Sequence, residues 1–165
     1  AAAVLGAGGA ARAVLAALRE LGAPTRLINR DEERGRAVAR EFGATYGGPL
    51  PAGLDGEPVE LLVNATPLGA GDEAIPGLPE FSRRMAVLDL AYRQGTTPLE
   101  RAARAGGARV TGGLEFLARQ AACQFTLWTG RRVPVELYLQ ALRVVVPGAA
   151  EALATARPGD GEGAC

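Results

Sequence analysis

Short apolar runs alternate with amphipathic stretches along most of this chain. Five apolar runs predict buried β-strands, at residues 1–5, 25–28, 60–64, 85–90 and 108–111. Apolar positions at helical spacing predict helices at about residues 10–22, 32–42, 97–105, 114–129 and 134–146. Strands that alternate with helices are typical of parallel βαβ units. We therefore predict a doubly wound α/β fold with a mainly parallel sheet and flanking helices.

Glycine- and proline-rich segments mark the boundaries of these elements. Gly22 and Gly43 follow predicted helices, and glycine at this position commonly ends a helix. Residues 46–57 are rich in Gly and Pro, which predicts a loop with room for a short edge strand. From residue 147 onward the composition is largely Gly, Ala, Pro and acidic residues. We therefore predict one domain over residues 1–146 and a disordered tail over residues 147–165.

Length and composition limit the kinds of protein this chain can be. A chain of 165 residues with 48% hydrophobic content is large enough for one domain with a core. Its 18 basic and 18 acidic residues balance, and aromatic residues make up 5%, so we expect no nucleic-acid partner and no membrane partner. No apolar run has the length of a membrane span, and no signal peptide is visible. Because the chain opens without methionine inside a predicted strand, we expect a fragment whose upstream part is missing.

Two missing residue types exclude several kinds of chemistry. The chain has no histidine, and all 18 of its basic residues are arginine. Without lysine, the chain itself cannot supply a Schiff base, a P-loop lysine or a lysine proton shuttle. Cys123 and Cys165 lie far apart and show neither a disulfide framework nor a metal-ligand spacing. We therefore expect no metal site and a reducing, cytoplasmic location.

A glycine-rich turn follows the first predicted strand and opens the first predicted helix. The segment Gly6-Ala7-Gly8-Gly9-Ala10-Ala11 matches the pattern G-x-G-x-x-G/A. In this pattern Gly6 permits a tight turn, Gly8 lets the backbone approach a pyrophosphate, and a small residue at position 11 lets helix and strand pack closely. The N–H groups at the helix N-terminus then face the phosphates. Gly/Ala-rich turns also occur for packing reasons, but this context favours a Rossmann-like dinucleotide site at Gly6, Ala7, Gly8, Gly9 and Ala10.

The end of the second predicted strand carries residues that select between NADP and NAD. Asn29 and Arg30 follow this strand, and Arg34 lies one helical turn later. A guanidinium offers two donors and a flat face, which suit a 2′-phosphate and an adenine ring. Asp31 indicates the opposite preference, because a carboxylate repels a 2′-phosphate and accepts hydrogen bonds from ribose hydroxyls. Since aspartate is also a common N-cap, we interpret Asp31 as a helix cap and favour NADP, with NAD as the alternative.

Three further segments, together with the glycine-rich turn and the Asn29-Arg30 pair, resemble the shikimate dehydrogenase family. They are VNATPLG at residues 63–69, DLAYRQGTTPL at residues 89–99 and GLEFLARQ at residues 113–120. Their order and spacing resemble the C-terminal NADP-binding domain of this family over residues 1–146. The chain departs from the family at Asp31, where threonine is common.

The resemblance implies roles for residues that follow two predicted strands. By their own chemistry, Asn64 and Thr66 fit either a ligand-binding edge of the sheet or a simple Asn/Pro/Gly turn. The resemblance implies that both lie beside the nicotinamide half of the cofactor. It also implies that Leu90 lies close to the nicotinamide ring and Gly113 close to the cofactor.

Two polar residues are candidate substrate ligands. Tyr92 follows the strand predicted at residues 85–90, and by itself fits either a phenol donor at the sheet edge or a half-buried packing residue. Gln120 is a polar residue on a largely apolar predicted helix, and by itself fits a solvent-facing position. The resemblance implies that both contact the substrate, with the Gln120 amide bonded to a substrate hydroxyl.

The function implied by the resemblance is NADP-dependent interconversion of 3-dehydroshikimate and shikimate in aromatic amino-acid biosynthesis. The catalytic lysine of the family and its partner aspartate belong to an N-terminal substrate domain, upstream of the glycine-rich turn. We therefore expect no catalytic residue in this chain, no activity from the fragment alone, and a monomer or homodimer. The alternatives are an NAD-dependent quinate/shikimate dehydrogenase, a glutamyl-tRNA reductase-like domain, and a dinucleotide-binding module without catalysis.

Overall fold

Six parallel strands form one sheet in the described part of the chain, and helices surround it. The computed structural model describes residues 1–56 and 58–154. The strands are β1 (Ala2–Leu5), β2 (Thr25–Ile28), β3 (Thr45–Gly48), β4 (Leu61–Asn64), β5 (Ala86–Asp89) and β6 (Arg109–Thr111). The α-helices are α1 (Gly9–Glu20), α2 (Glu32–Phe42), α3 (Pro98–Ala105), α4 (Gly113–Thr129), α5 (Val135–Val145) and α6 (Ala149–Ala152). All strand pairs are parallel, which confirms the predicted α/β fold class.

The strand order determines where a ligand site lies. The order is β3-β2-β1-β4-β5-β6, so the central strand β1 lies between β2 and β4. Val4 of β1 therefore lies opposite both Leu27 and Val63. In doubly wound sheets, ligands bind where the strand order reverses, outside the carboxyl ends of the strands. The glycine-rich turn after β1 and the turn after β4 lie on the two sides of this point.

Both faces of the sheet are covered, which explains why the central strands β1, β4 and β5 are apolar except at the ends of β4 and β5. Successive residues of β1 point to opposite faces. Val4 packs in one core cluster with Leu15 of α1 and Val38 of α2. Leu5 packs in a second cluster with Leu99 of α3. The central strand therefore buries residues on both sides, and the sheet is held between two layers of helices.

Polar side chains begin two of the helices. Asp31 caps α2, because its Oδ1 accepts a hydrogen bond from the Arg34 backbone N–H at 3.0 Å. Thr97 caps α3, because its hydroxyl oxygen accepts from the Glu100 backbone N–H at 3.1 Å. Pro98 follows in the first turn of α3, where its missing N–H costs little. The helix cap predicted for Asp31 is confirmed.

The short edge strand predicted within residues 46–57 is confirmed as β3, which lies at one edge of the sheet and begins one residue earlier, at Thr45. The prediction for the tail needs correction. The tail predicted as disordered from residue 147 is ordered as far as residue 154, since α6 lies there and Ala149 and Leu153 are buried. These two side chains lie four residues apart and pack against α4 and α5. The prediction of disorder rested on composition, which does not detect so small an apolar face. Residues 155–165 of the predicted tail lie outside the described residues.

Three expectations drawn from composition concern cross-links, membranes and metals. Cys123 lies in α4, and Cys165 lies outside the described residues. No helix within the described part of the chain is both long and apolar enough to cross a bilayer. Within that same part, no group of three or more His, Cys, Asp or Glu side chains is placed to hold a metal ion.

Candidate functional site

An open cleft of about 670 Å³ lies at the carboxyl ends of β1, β2 and β4. Its volume is within the range of ligand and cofactor sites, about 300–1,000 Å³. The glycine-rich turn, the end of β2 and the segment after β4 form its walls. The predicted cofactor residues that line it are Gly6, Ala7, Gly8, Asn29, Arg30, Arg34 and Thr66. The structure thus brings together the three segments that the sequence assigned to the cofactor.

Gly6 is required by the packing of the turn itself. Its φ is +100°, a conformation that favours glycine. A Cβ at this position would lie 2.8 Å from Cγ2 of Thr66 and 3.0 Å from the Ala65 carbonyl oxygen. The Gly6 N–H also donates to the Ile28 carbonyl at 2.8 Å. The glycine-rich turn therefore packs directly against the segment after β4, and no larger residue fits between them.

Gly8 and Gly9 are different, because protein packing does not require glycine at either position. A Cβ on either residue would meet no protein atom within 4 Å, and Gly8 has φ −84° and ψ −171°, which any residue adopts. Gly8 caps α1 without a side-chain hydrogen bond, and the first turn, which includes Gly9 and Ala10, has no acidic residue. The helix N-terminus thus presents its N–H groups to open space. These features fit a dinucleotide pyrophosphate.

Two arginines lie near the end of β2 and are held in different ways: Arg30 follows the strand, and Arg34 lies in the first turn of α2. The Nε–H of Arg34 donates to the Ala7 carbonyl at 3.1 Å, which fixes this guanidinium against the glycine-rich turn. Arg30 lines the cleft and is exposed. The Asn29 amide donates to the Asp31 carbonyl at 2.7 Å, so the backbone that carries Arg30 is held in place. Arg30 is therefore a cation on a fixed backbone with its side chain at the cleft.

Asp31 does not line the cleft. Its carboxylate accepts the N-cap hydrogen bond of α2. The feature that favoured NAD in the sequence thus has a structural explanation that involves no ribose.

The two predicted cofactor residues at the end of β4, Asn64 and Thr66, occupy different places. Thr66 lines the cleft, whereas Asn64 lies beneath it with no exposed surface. The Asn64 Nδ2 donates to Asp89 Oδ1 at 2.8 Å and to the Leu68 carbonyl at 2.9 Å. Its Oδ1 accepts from the Thr66 N–H at 3.1 Å and from the Thr66 hydroxyl at 2.6 Å. Asn64 therefore organises the turn that follows it, and its polar atoms point into the protein.

Leu90, Tyr92 and Gly113 form a second group, at the carboxyl end of β5. The Leu90 N–H donates to the Asn64 carbonyl at 2.9 Å. Gly113 begins α4 so close to this strand end that a Cβ on it would lie 2.9 Å from the Tyr92 Cβ. Tyr92 is 57% exposed, and Gln120 is exposed about two helical turns after Gly113. These four residues do not line the 670 Å³ cleft, and Gln120 lies apart from the other three along α4.

Two buried carboxyl groups lie beneath this second group. Burial raises the pKa of Asp89, and a hydrogen bond from the Thr97 hydroxyl is the main opposing effect. Burial also raises the pKa of Glu100 to about 7, opposed mainly by the charge of Arg104. The Glu100 carboxyl lies against the backbone before α4, since a Cβ on Gly112 would be 2.5 Å from Oε1. Both groups therefore support the site from within and do not face a ligand.

Asp89, Thr97 and Glu100 received no role from the sequence. One signal was available: Asp89 is a charged residue at the end of an otherwise apolar strand, and a charge is rarely buried without partners. Its partners come from segments 25 residues before and 8 residues after it, which local patterns do not connect.

An apolar surface on α4 and α5 is left uncovered in the described residues. The side chains of Leu127, Trp128 and Val144 are 73%, 79% and 86% exposed, and Leu137 and Val145 are also exposed. Apolar surface on a protein often marks an interaction site, and these side chains are candidates for one. We call these five residues the α4–α5 apolar surface.

Comparison with known proteins finds relatives that are longer than this chain. The shikimate dehydrogenase (NADP(+)) of Methanocella arvoryzae is 41% identical over 146 residues, which are 85% of this chain and 54% of that protein. The corresponding protein of Thermus thermophilus is 45% identical over 129 residues, 77% of this chain and 48% of its own length. A crystal structure of the T. thermophilus shikimate 5-dehydrogenase in complex with NADP(H) and shikimate aligns with a TM-score of 0.71 and 40% identity. That alignment covers 87% of this chain and 54% of the other.

The strand order and the glycine-rich turn are those of the Rossmann-like class of dinucleotide-binding domains. The family described as "Shikimate 5'-dehydrogenase C-terminal domain" matches residues 113–143. The chain belongs to the shikimate dehydrogenase family and corresponds to its C-terminal domain. It spans about half the length of the curated relatives that it matches.

Proposed function

We propose that this chain is the cofactor-binding half of an NADP-dependent shikimate dehydrogenase, which interconverts 3-dehydroshikimate and shikimate. The observation that carries the proposal is the cleft in which the open N-terminus of α1 and the Arg30 side chain face one space. A pyrophosphate and a 2′-phosphate are the two anionic parts of NADP, and these two features match them. The relatives of known name support the same assignment.

Each part of the cleft then has a role toward the dinucleotide. The N–H groups at Gly8, Gly9 and Ala10 would hold the pyrophosphate, and Arg30 would hold the 2′-phosphate. Arg34, fixed by the Ala7 carbonyl, would present its flat guanidinium beside the adenine. Leu90 and Gly113 would lie toward the nicotinamide end, at the next strand end along the sheet. When bound, the nicotinamide supplies the hydride chemistry, and the protein supplies position and electrostatics.

The substrate would lie beyond the nicotinamide end, against Tyr92 and Gln120. Both side chains are exposed and carry hydrogen-bonding groups, which suit a ligand rich in hydroxyls. The chain has no lysine and no histidine to move the proton of the reacting hydroxyl. We therefore assign that step to a lysine of the substrate domain, the part of the relatives that this chain does not match.

The α4–α5 apolar surface is the place where we expect that second domain to dock. The surface lies on the same helix as Gln120, so a domain that covers it would stand next to the proposed substrate position. Covering exposed apolar side chains is favourable, at about 25 cal/mol per Å² removed from water.

Titration with NADP⁺ and NAD⁺, combined with a shikimate turnover assay, tests the proposal. We expect the chain alone to bind NADP⁺ more tightly than NAD⁺ and to show no shikimate-dependent reduction of NADP⁺. Fused to the N-terminal half of the T. thermophilus relative, it should reduce NADP⁺ with shikimate. Failure to bind either dinucleotide would refute the proposal. Binding without turnover in the fusion would favour a binding module, and turnover with quinate and NAD⁺ would favour a quinate dehydrogenase.

A further inference from the structure

A buried polar network lies at the carboxyl ends of β4 and β5, below the cleft. Asn64, Asp89 and Thr97 have no exposed surface. Asp89 Oδ1 accepts hydrogen bonds from Asn64 Nδ2 at 2.8 Å and from the Ala91 N–H at 3.1 Å. Asp89 Oδ2 accepts from the Thr97 hydroxyl at 2.6 Å. Each carboxylate oxygen of Asp89 is therefore satisfied, and Asp89 itself does not line the cleft.

Asn64 connects this carboxylate to the turn after β4. The amide nitrogen of Asn64 donates to Asp89 and to the Leu68 carbonyl. The amide oxygen accepts from the N–H and the hydroxyl of Thr66. The Thr66 hydroxyl oxygen also accepts from the Leu68 N–H at 3.2 Å. Three hydrogen bonds to the side chain of Asn64 thus fix residues 66–68.

A carboxylate accepts hydrogen bonds and cannot donate them. Asp89 therefore selects the orientation of the Asn64 amide, because only the NH₂ group can face it. The opposite orientation would place two oxygens together and turn the NH₂ group toward the Thr66 N–H. Asp89 thus acts together with the Leu68 carbonyl to hold the Asn64 amide with its oxygen toward the Thr66 N–H.

The turn fixed by Asn64 is one wall of the cleft. Residues 65–68 all line it, and Cγ2 of Thr66 lies against Gly6. A shift of this turn would change the width of the cleft at the glycine-rich turn, where the cofactor phosphates are expected. Low-dielectric surroundings make such a network strong when it is complete and costly when one partner is lost.

We propose that Asp89 is a positioning residue for the dinucleotide cleft, which acts through Asn64 to set the turn at residues 65–68 against the glycine-rich turn. This inference rests on the proposed binding of a dinucleotide. It assigns Asp89 a role in affinity beyond its contribution to the fold.

The test compares Asp89→Asn with Thr97→Val, each measured for NADP⁺ affinity and for melting temperature. Asp89→Asn removes the charge that strengthens the hydrogen bond from the Asn64 NH₂ group, so the Asn64 amide is held less firmly and we expect about tenfold weaker NADP⁺ binding by the folded protein. Thr97→Val removes the hydrogen bond to Asp89 Oδ2, on the side of α3, and should lower the melting temperature without changing NADP⁺ affinity. Equal NADP⁺ affinity of Asp89→Asn and the parent would overturn the proposal.

Amide hydrogen exchange provides a readout that is independent of the ligand. Asp89→Asn should speed the exchange of the Thr66 and Leu68 N–H groups, while Thr97→Val should leave both as slow as in the parent. Unchanged exchange at Thr66 and Leu68 in Asp89→Asn would contradict the positioning role, even if the chain bound no dinucleotide. If Asp89→Asn does not fold, Thr66→Val removes the hydroxyl at the cleft end of the network while keeping the methyl group against Gly6. It should then weaken NADP⁺ binding and speed exchange at Leu68, and the absence of both effects would overturn the proposal.

Discussion

Arg30 and Asp31 are adjacent in sequence but have different structural roles. Arg30 lines the cleft, while the Asp31 carboxylate is engaged at the N-terminus of α2. One bond along the backbone therefore separates a candidate ligand contact from a structural cap. Charge alone does not distinguish the two roles, but the position of Asp31 directly before α2 does, and that position is what predicted the cap.

Arg30→Ala should weaken NADP⁺ binding by at least about tenfold and change NAD⁺ binding much less. Removing one charge-assisted contact to a phosphate typically costs roughly 1.5–3 kcal/mol, and only NADP carries the 2′-phosphate. Isothermal titration with both dinucleotides measures the two losses. Arg40→Ala, an exposed arginine at the other end of α2, is the matched control and should change neither affinity. Equal losses for the two dinucleotides with Arg30→Ala would show that this residue does not contact the 2′-phosphate.

Gly6 and Gly8 allow binding to be separated from stability. Gly8→Ala places a methyl group where no protein atom lies within 4 Å, so the chain should fold with nearly the parent melting temperature. The same methyl group stands where a pyrophosphate would approach, so dinucleotide affinity should fall by about tenfold or more. Gly6→Ala, in contrast, meets Thr66 and needs a φ of +100°, and should lower the free energy of unfolding by roughly 1–3 kcal/mol. Parent-like dinucleotide affinity in a folded Gly8→Ala variant would show that the pyrophosphate does not bind at this turn.

At the scale of elements, the sequence predicts most of what is local. Gly43 ends α2 and Pro98 begins α3, because such residues act on the backbone nearest to them. The glycine-rich turn is likewise read from contiguous residues. The network around Asp89 cannot be predicted from contiguous residues. Asn64 ends β4, Asp89 ends β5 and Thr97 precedes α3, so only the strand order brings them together. α6 escapes prediction for a related reason, since Leu153 is buried in a cluster that includes residues of α4 and α5, which are distant in sequence.

The support beneath α4 should give the chain a measurable dependence on pH. Burial raises the pKa of Glu100 to about 7, so the folded state holds a proton there that the unfolded state releases near its ordinary pKa of 4.5. The sign follows from linkage: this contribution to stability is fully present below pH 4.5 and is lost as pH rises through about 7. Its size is on the order of 3 kcal/mol, at 1.36 kcal/mol for each pKa unit.

Glu100→Gln keeps the shape of the side chain and removes this titration. We expect the free energy of unfolding of the parent, relative to Glu100→Gln, to fall between pH 4.5 and about 7 and then to level off. Urea unfolding at a series of pH values measures the difference. Glu80→Gln, on an exposed loop, is the control and should run parallel to the parent. A pH-independent difference between the parent and Glu100→Gln would show that Glu100 titrates normally.

On the scale of the whole molecule, the proposed site has a cofactor side, formed by this chain, and a substrate side, for which the longer relatives have additional residues. The cleft at β1, β2 and β4 is built entirely from residues of this chain. Tyr92 and Gln120, in contrast, stand exposed with no facing wall in the described residues. The α4–α5 apolar surface is uncovered on the same helix as Gln120. The proposed cofactor cleft therefore lies within the described residues, whereas our proposal places a second domain against the substrate side.

Trp128 is the single tryptophan of the chain and reports directly on that second domain. At 79% exposure it should emit at long wavelength and be readily quenched by acrylamide in the chain alone. Fusion to the N-terminal half of the T. thermophilus relative should shift the emission to shorter wavelength and lower the quenching constant, because docking removes the indole from water. The control is the double substitution Trp128→Phe, Arg40→Trp, which moves the fluorophore to the far end of α2. Its quenching should not change on fusion, because α2 packs against α1, β2 and β3 and lies away from α4 and α5. If Trp128 remains equally quenched in a fusion that oxidises shikimate, the second domain docks elsewhere, and the α4–α5 apolar surface has another partner.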